Sequence, residues 1–333
     1  MELEELEGRL PLFLRTMSED PFAKVLSLEK GPGHAGFSYL FKALIDGERR
    51  GYFLRMPPPN AKHEGTADVL RQVCAINALE GTDVPHAPIV WSGDDPQWFD
   101  CPYFVQPWVP GDVLRDEWLD QLAPKYGSSA AQQVMSSLVG IHRVDWREKC
   151  RYLGEFPGLE WDVTRWDRTY ERTAGQEMLT LQPRVRELLL AKLPRDPNIG
   201  LFHGDCHWGN MMFTADGNLE AVIDWELTGI GPTLNDLGWI LMFSEPRAWD
   251  HPDATPDGKL PAPDELEAMY TEAWGADPGD VRWFIALACY KFSLISGFNL
   301  NLHRRGKRDD PHWEIVRPSM HANMAFALEM LTS

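Results

Sequence analysis

The apolar positions change period partway along the chain. Leu3, Leu6 and Leu10 recur at helical spacing and predict a short amphipathic helix, which Asp20-Pro21 ends. Strand character follows at 25–28 and 37–45, where Phe37, Tyr39 and Phe41 alternate, with the small-residue segment 30–36 between them. Asp46-Gly47 turns the chain into a strand at 52–55, and Pro57-Pro58-Pro59 stops it. Val69, Val73, Ile76 and Leu79 form a helical stripe over 66–79, with Thr66 as the candidate cap. A further strand at 102–109 runs into the loop 106–111.

Beyond Gly111 the period is helical almost throughout. Val134, Met135, Leu138, Val139 and Ile141 predict an amphipathic helix over 129–144, in which His142 is expected to be a packed, hydrogen-bonded residue. Trp161, Arg165, Trp166, Arg168 and Arg172 form a stripe that suits either core packing or contact with a small molecule. Further helices are expected from Asn235, Asp264 and Val281, with a proline-rich loop over 244–263. The exception is 201–226. There Leu201-Phe202 enters a polar turn, 203–210, before Met211-Met212-Phe213, a turn at Asp216-Gly217-Asn218, and a return from Leu219 to Ile223 ahead of Asp224. Apolar runs on both sides of an Asp-Gly turn predict a β-hairpin.

At 333 residues the chain is long enough for two lobes with substantial cores. Its net charge of −18 repels phosphate backbones and anionic headgroups, so nucleic acid and membrane are not expected partners. Cys74, Cys101, Cys150, Cys206 and Cys289 are scattered without a CxxC pair, as suits free thiols in a reducing compartment. Met1-Glu2-Leu3-Glu4-Glu5 is acidic where a secretory leader is basic, and 283–300 is interrupted by Lys291, so a buried helix is expected there. Together these features predict a cytoplasmic protein.

The hairpin concentrates chemistry. It brings Asn210 and Asp224, at its two open ends, together, with Asp205 in the loop just before it. Phosphoryl transfer needs such a set: a carboxylate to orient the attacking hydroxyl and take its proton, and two further oxygen donors for the magnesium that bridges the nucleotide phosphates. Asp205 fits the first role, and Asn210 with Asp224 the second. Two alternatives stand beside that assignment. Asp and Asn collect in turns for purely local reasons, and His203-x-Asp205-x-His207 alternates ligand types in the manner of a metal hydrolase.

Across His203-Gly204-Asp205, Asn210 and Asp224-Trp225 the sequence resembles the aminoglycoside phosphotransferase and choline kinase family, small-molecule relatives of the protein kinases. Asp224-Trp225-Glu226 and Asn235-Asp236-Leu237-Gly238-Trp239 look most like the branch associated with acyl-CoA dehydrogenases. The resemblance implies an α+β, bilobal protein-kinase-like fold: a small antiparallel β-sheet lobe with one main helix over residues 1–106, a hinge over 107–112, and a larger, mostly helical lobe over 113–333. It implies ATP, with GTP as the alternative, and Mg2+, acting on a small-molecule hydroxyl substrate such as a hydroxyacyl compound. No oligomeric state follows from it.

Residue by residue, the resemblance assigns Gly33, Gly36 and Ser38 to the phosphate-covering loop, and Arg55 to the phosphate-pairing cation that relatives often supply as Lys. Gln72 stands where relatives place a glutamate to pair with that cation, and is expected to hydrogen-bond Arg55 without supplying charge. The Pro107 carbonyl and the Val109 N–H are implied adenine contacts, and Asp236 an anchor for the loop backbone. His207 lies where a cation approaches the transferring phosphate, a task an imidazole performs only when protonated. Gln72 and the altered loop also motivate an alternative, a catalytically weak nucleotide-binding module.

Overall fold

The computed structural model describes residues 3–31, 37–114, 116–251 and 258–333. Five antiparallel strands, β1 (Lys24–Lys30), β2 (Phe37–Ile45), β3 (Glu48–Met56), β4 (Trp91–Gly93) and β5 (Tyr103–Pro107), form one sheet in the order β1-β2-β3-β5-β4. Asp46 and Gly47, at φ 51° and 80°, make the two-residue turn between β2 and β3, since a tight hairpin needs positive φ at both central positions. Helix α1 (Leu3–Met17) lies against this sheet through Leu6, Leu10, Phe13 and Leu14. The Phe13 ring meets Trp91 and Tyr103 edge-on at 5.8 and 5.3 Å, and touches Trp98 and Phe99 of α3 (Pro96–Phe99).

The other principal helix of this lobe, α2 (Val69–Ala78), begins later than the apolar stripe predicts. Asp68 accepts a hydrogen bond from Leu70 N at 3.1 Å and is the cap in place of Thr66, which sits in the 3-10 turn before it. The chain leaves the sheet at Pro107 and enters β6 (Asp112–Val113), so the crossing itself occupies 108–111. Gly111, at φ 103°, passes so close to Phe213 O that an added Cβ would sit 2.2 Å from it.

The second lobe contains α4 (Asp116–His142), the short helices α5 (Trp146–Lys149), α6 (Leu159–Thr164) and α7 (Asp167–Tyr170), α8 (Gln182–Ala191), α9 (Leu234–Ser244), α10 (Pro263–Trp274), α11 (Val281–Arg304), α12 (His312–Val316) and α13 (Ser319–Thr332). Helix α4 starts well before the predicted 129, because packing against α10 carries it through Pro124 and Gly127. By length and composition α11 could cross a membrane, but its apolar window is 83% buried between α9 and α13, and it is the core helix of this lobe. Gly238 of α9 lets the two helices touch, since an added Cβ would lie 2.5 Å from the Phe284 backbone. The 160–173 stripe docks this core. Asp162 pairs with Lys291 of α11 at 3.0 Å and with Arg165 at 2.9 Å, and Arg165 lies over the Trp161 and Trp166 rings.

Two small sheets complete the lobe. Strand β7 (Ile199–Phe202) pairs with β10 (Gly229–Pro232), and β8 (Met211–Phe213) pairs with both β6 and β9 (Leu219–Val222). The Asp-Gly turn forms as predicted, with Gly217 at φ 74°, and Gln133 of α4 clamps it by donating to Gly217 O at 2.9 Å and accepting from Leu219 N at 2.8 Å. In the small lobe, Phe13→Ala is expected to cost about 3–5 kcal/mol. Urea denaturation followed through the fluorescence of Trp91 and Trp98 should show the lower midpoint, and an unchanged midpoint contradicts the docking of α1.

Candidate active site

The loop 203–210 joins β7 to β8 and is shaped by one buried carboxylate. Asp236, on α9 and fully enclosed, accepts from His203 N and Gly204 N, both at 2.7 Å. His142 Nε2, in the last turn of α4, lies 3.1 Å from the same carboxylate, and its Nδ1 lies 2.8 Å from the Tyr270 hydroxyl of α10. Three helices thus hold the anchor, and a buried carboxylate with three donors is satisfied where an unpaired one would be costly. His142 is therefore the packed, hydrogen-bonded residue expected of it. Gly204, at φ 92°, is required by the same geometry, because an added Cβ would fall 2.2 Å from Leu227 O.

His203 sets the distance between the loop and the strand end that carries Asp224. Its Nδ1 accepts from Asp205 N at 3.2 Å and its Nε2 donates to Ile223 O at 2.9 Å, an assignment that one neutral tautomer satisfies. With both ring nitrogens committed to backbone, His203 has no lone pair for a metal, which removes one ligand of the His-x-Asp-x-His alternative. Among the described residues no group of three or more His, Cys, Asp or Glu side chains is arranged to hold a metal ion.

Asp205 projects from this loop. Its Oδ1 accepts from Trp239 Nε1 at 2.9 Å, and its Oδ2 lies 3.2 Å from Asn210 Nδ2 and 3.5 Å from His207 Nε2. Burial by itself would raise the carboxyl, but the His207 contact and the Trp239 hydrogen bond favour the charged form and hold it below the usual carboxylate range. His207 stacks on Phe243 at 5.0 Å, and its Nδ1 accepts from Gly209 N at 3.0 Å. Neighbouring Cys206 is fully buried, which pushes its thiol well above its ordinary value and makes it a packing group instead of a nucleophile.

The hairpin delivers Asn210 beside Asp224, as its pattern predicts. Met211 pairs with Val222, and Ile223 N donates to Asn210 O at 3.0 Å. Asn210 Nδ2 also donates to Asp205 O at 2.9 Å, which leaves the amide oxygen as its outward atom. Asp224 is exposed and adopts φ 62°, ψ 64°, a left-handed conformation that Asp tolerates better than most residues. Asp205, Asn210 and Asp224 therefore converge.

The small lobe approaches the same place. Arg55 of β3 is buried and opposes Ser38 of β2 in the ladder, and Ser38 is itself 2% exposed, with its carbonyl accepting from Gly31 N at 2.7 Å. Gly33 and Gly36 lie outside the described residues. Pro107 ends β5 opposite Tyr52, and Val109 follows in the crossing segment, with no protein acceptor for its N–H among the described residues. One expected contact does not form. Arg55 donates from Nη2 to Glu226 Oε2 at 2.7 Å and not to Gln72, whose buried Nε2 has no partner. Burial, together with the charge of Asp224, pushes the Glu226 carboxyl up to about 7 against the pull of Arg55.

Two participants escaped the sequence reading, Glu226 and the indole of Trp239. The signal for Trp239 was its spacing from Asp236. Residues three apart share a helix face, so the residue that pins the loop backbone and the one that holds the Asp205 carboxylate point the same way. Glu226 offered only its place two residues after Asp224, because its partner is 171 positions away.

Comparison with known proteins gives the fold and the family. Human acyl-CoA dehydrogenase family member 11 is 25% identical over 256 residues, which cover 74% of this chain and 33% of that protein. The chain thus spans about a third of the length of the curated relatives it matches. A candidate aminoglycoside phosphotransferase of Ralstonia eutropha superposes with a TM-score of 0.77 at 20% identity, covering 97% of this chain and 98% of that one. An amicoumacin kinase in complex with AMP-PNP and Ca2+ superposes at 0.61 and 15% identity, covering 99% and 96%. These likenesses establish the kinase-like α+β fold. The family model spans residues 33–284, most of the sequence, and the chain belongs to the phosphotransferase enzyme family.

Proposed function

We propose that the chain is an ATP-dependent kinase of a small-molecule hydroxyl, with Asp205 as the group that orients the hydroxyl and accepts its proton. The observation that carries this is the convergence of Asp205, Asn210 and Asp224 on one loop and hairpin whose backbone is fixed from behind by Asp236 and His203. The donor set suits a hard divalent cation. Asn210 spends its Nδ2 on Asp205, so its amide oxygen and the exposed Asp224 carboxylate are the ligands on offer, and all-oxygen donors favour Mg2+. When bound, that ion offsets charge on the nucleotide phosphates.

The chain's own residues do the rest. Trp239 and Asn210 hold the Asp205 carboxylate in one orientation, so its free lone pairs are presented to the acceptor hydroxyl without reorganisation. Arg55 brings a guanidinium from the small lobe for phosphate oxygens. GTP in place of ATP stays as the alternative donor. The weak-binding alternative rests on the altered loop and on the neutral Gln72. The carboxyl partner that Arg55 has in Glu226 bears on the second alone.

An aromatic cluster flanks Asp205, and we place the acceptor against it. Trp239, Phe243, Trp249 and Phe292 contact one another at 5.2 to 6.1 Å, and the first of them bonds Asp205 directly. Such a wall packs the apolar part of an acceptor while Asp205 faces its hydroxyl. That supports a hydroxyacyl compound above a polycationic sugar. The five free cysteines support a reducing, cytoplasmic setting.

Asp205→Ala and Asp224→Ala are each expected to reduce turnover by about three orders of magnitude or more, judged by roles of this type. A phosphate-transfer screen of hydroxyl compounds with both purified variants in parallel reads this, and near-normal turnover in either contradicts the assignment. The pH dependence is also fixed in sign. Because Asp205 is held low, the base is ionised throughout the neutral range, and the acid limb of kcat lies below the ordinary carboxylate range. Trp239→Phe removes a donor to the charged form and should move that limb upward. A kcat profile with an unmoved acid limb contradicts the role of the indole.

A further inference from the structure

In protein kinases the strand cation of the small lobe is held by a glutamate on that lobe's main helix, and both must be in place for phosphoryl transfer. Here α2 carries Gln72 at the corresponding position, and its amide nitrogen is buried without a partner. Arg55 nonetheless has a carboxyl neighbour. Its Nη2 lies 2.7 Å from Glu226 Oε2, and the pair joins β3 to the turn that follows Asp224. Both side chains are largely closed to water, at 11% and 17% exposure, where removing one member leaves the other charge uncompensated. Helix α2 packs on the same turn, with Arg71 Nη2 donating to Thr228 O at 2.9 Å. The helix that lacks the charge and the turn that carries it are thus neighbours.

We infer that Glu226 is the positioning residue for Arg55, performing from the turn beyond Asp224 the task that a helix glutamate performs in protein kinases; this rests on the kinase function proposed above. Glu226 acts through Arg55 and touches no reacting atom in this role. An arginine suits the arrangement better than a lysine. Its planar guanidinium has five N–H donors, and holding Glu226 through Nη2 leaves Nη1 and Nε for phosphate oxygens. The arrangement also changes what moves with what. The cation from the small lobe is tied to the segment that bears Asp224, so the grip on the phosphates and the ligand of their metal are set by one turn instead of by the orientation of α2.

The test is a double-variant cycle on the full chain, with binding of Mg2+-ATP and of adenosine measured by calorimetry for wild type, Glu226→Gln, Arg55→Gln and the pair. Glu226→Gln should weaken Mg2+-ATP at least tenfold while leaving adenosine, which has no phosphates, within twofold of wild type. In the Arg55→Gln background it should have no further effect. Glu226→Asp, which keeps the carboxylate on a shorter arm, should recover part of the lost affinity. Three results overturn the inference: Mg2+-ATP affinity within twofold of wild type in Glu226→Gln, an equal loss in the Arg55→Gln background, which marks Glu226 as acting on metal or nucleotide directly, or a matching loss of adenosine binding, which marks a merely structural role. If wild type binds Mg2+-ATP but phosphorylates no hydroxyl compound, the kinase function fails while the cycle still decides what Glu226 does.

Discussion

Two consecutive backbone N–H groups, those of His203 and Gly204, end on the carboxylate of Asp236, and the rest of the site depends on that interaction. A carboxylate removed from water is expensive unless its lone pairs are filled, and once filled it has little freedom to move. With His142 and Tyr270 behind it, Asp236 fixes where the loop leaves β7. The exit direction fixes Asp205, and His203 carries the constraint across to Ile223, the residue before Asp224. The loop backbone that carries these oxygen atoms is fixed from behind by Asp236 and His203.

The two lobes meet on this framework through the turn 225–228. Arg55 reaches it from the sheet and Arg71 from α2, while the crossing at Gly111 runs against the β8 strand end. A chain with a formal charge of −18 that handles anionic phosphates must supply positive potential locally, since its long-range field is unfavourable. In the proposed function the buried guanidinium of Arg55 provides it on the protein side. Its burial is tolerable because Glu226 is within 2.7 Å.

Much of this was legible from local pattern. The hairpin around Asp216-Gly217 depends on turn chemistry and alternation within some twenty residues, and so Asp205, Asn210 and Asp224 could be placed before any coordinates. The anchor Asp236 was legible as well, through the resemblance its motif carries. What escaped lies where tertiary packing decides. Asp68 and Thr66 are both good caps, and only the bond to Leu70 N chooses between them. Helix α4 passes through Pro124 and Gly127, which read locally as breaks, because α10 packs on it. The resemblance places the Arg55 partner at Gln72, on the small lobe's helix, whereas the actual contact closes over 171 positions to a turn of the other lobe.

In the proposed function Asn210 and Asp224 together present a divalent-cation site beside the Asp205 base. Anomalous diffraction from crystals grown with Mn2+ and a non-hydrolysable ATP analogue tests it most directly. The account predicts a metal peak within about 2.0–2.3 Å of the Asn210 amide oxygen and an Asp224 carboxylate oxygen, with the nucleotide phosphates on its other side. A peak held by His207 or elsewhere, or nucleotide bound with Asn210 and Asp224 untouched, contradicts it.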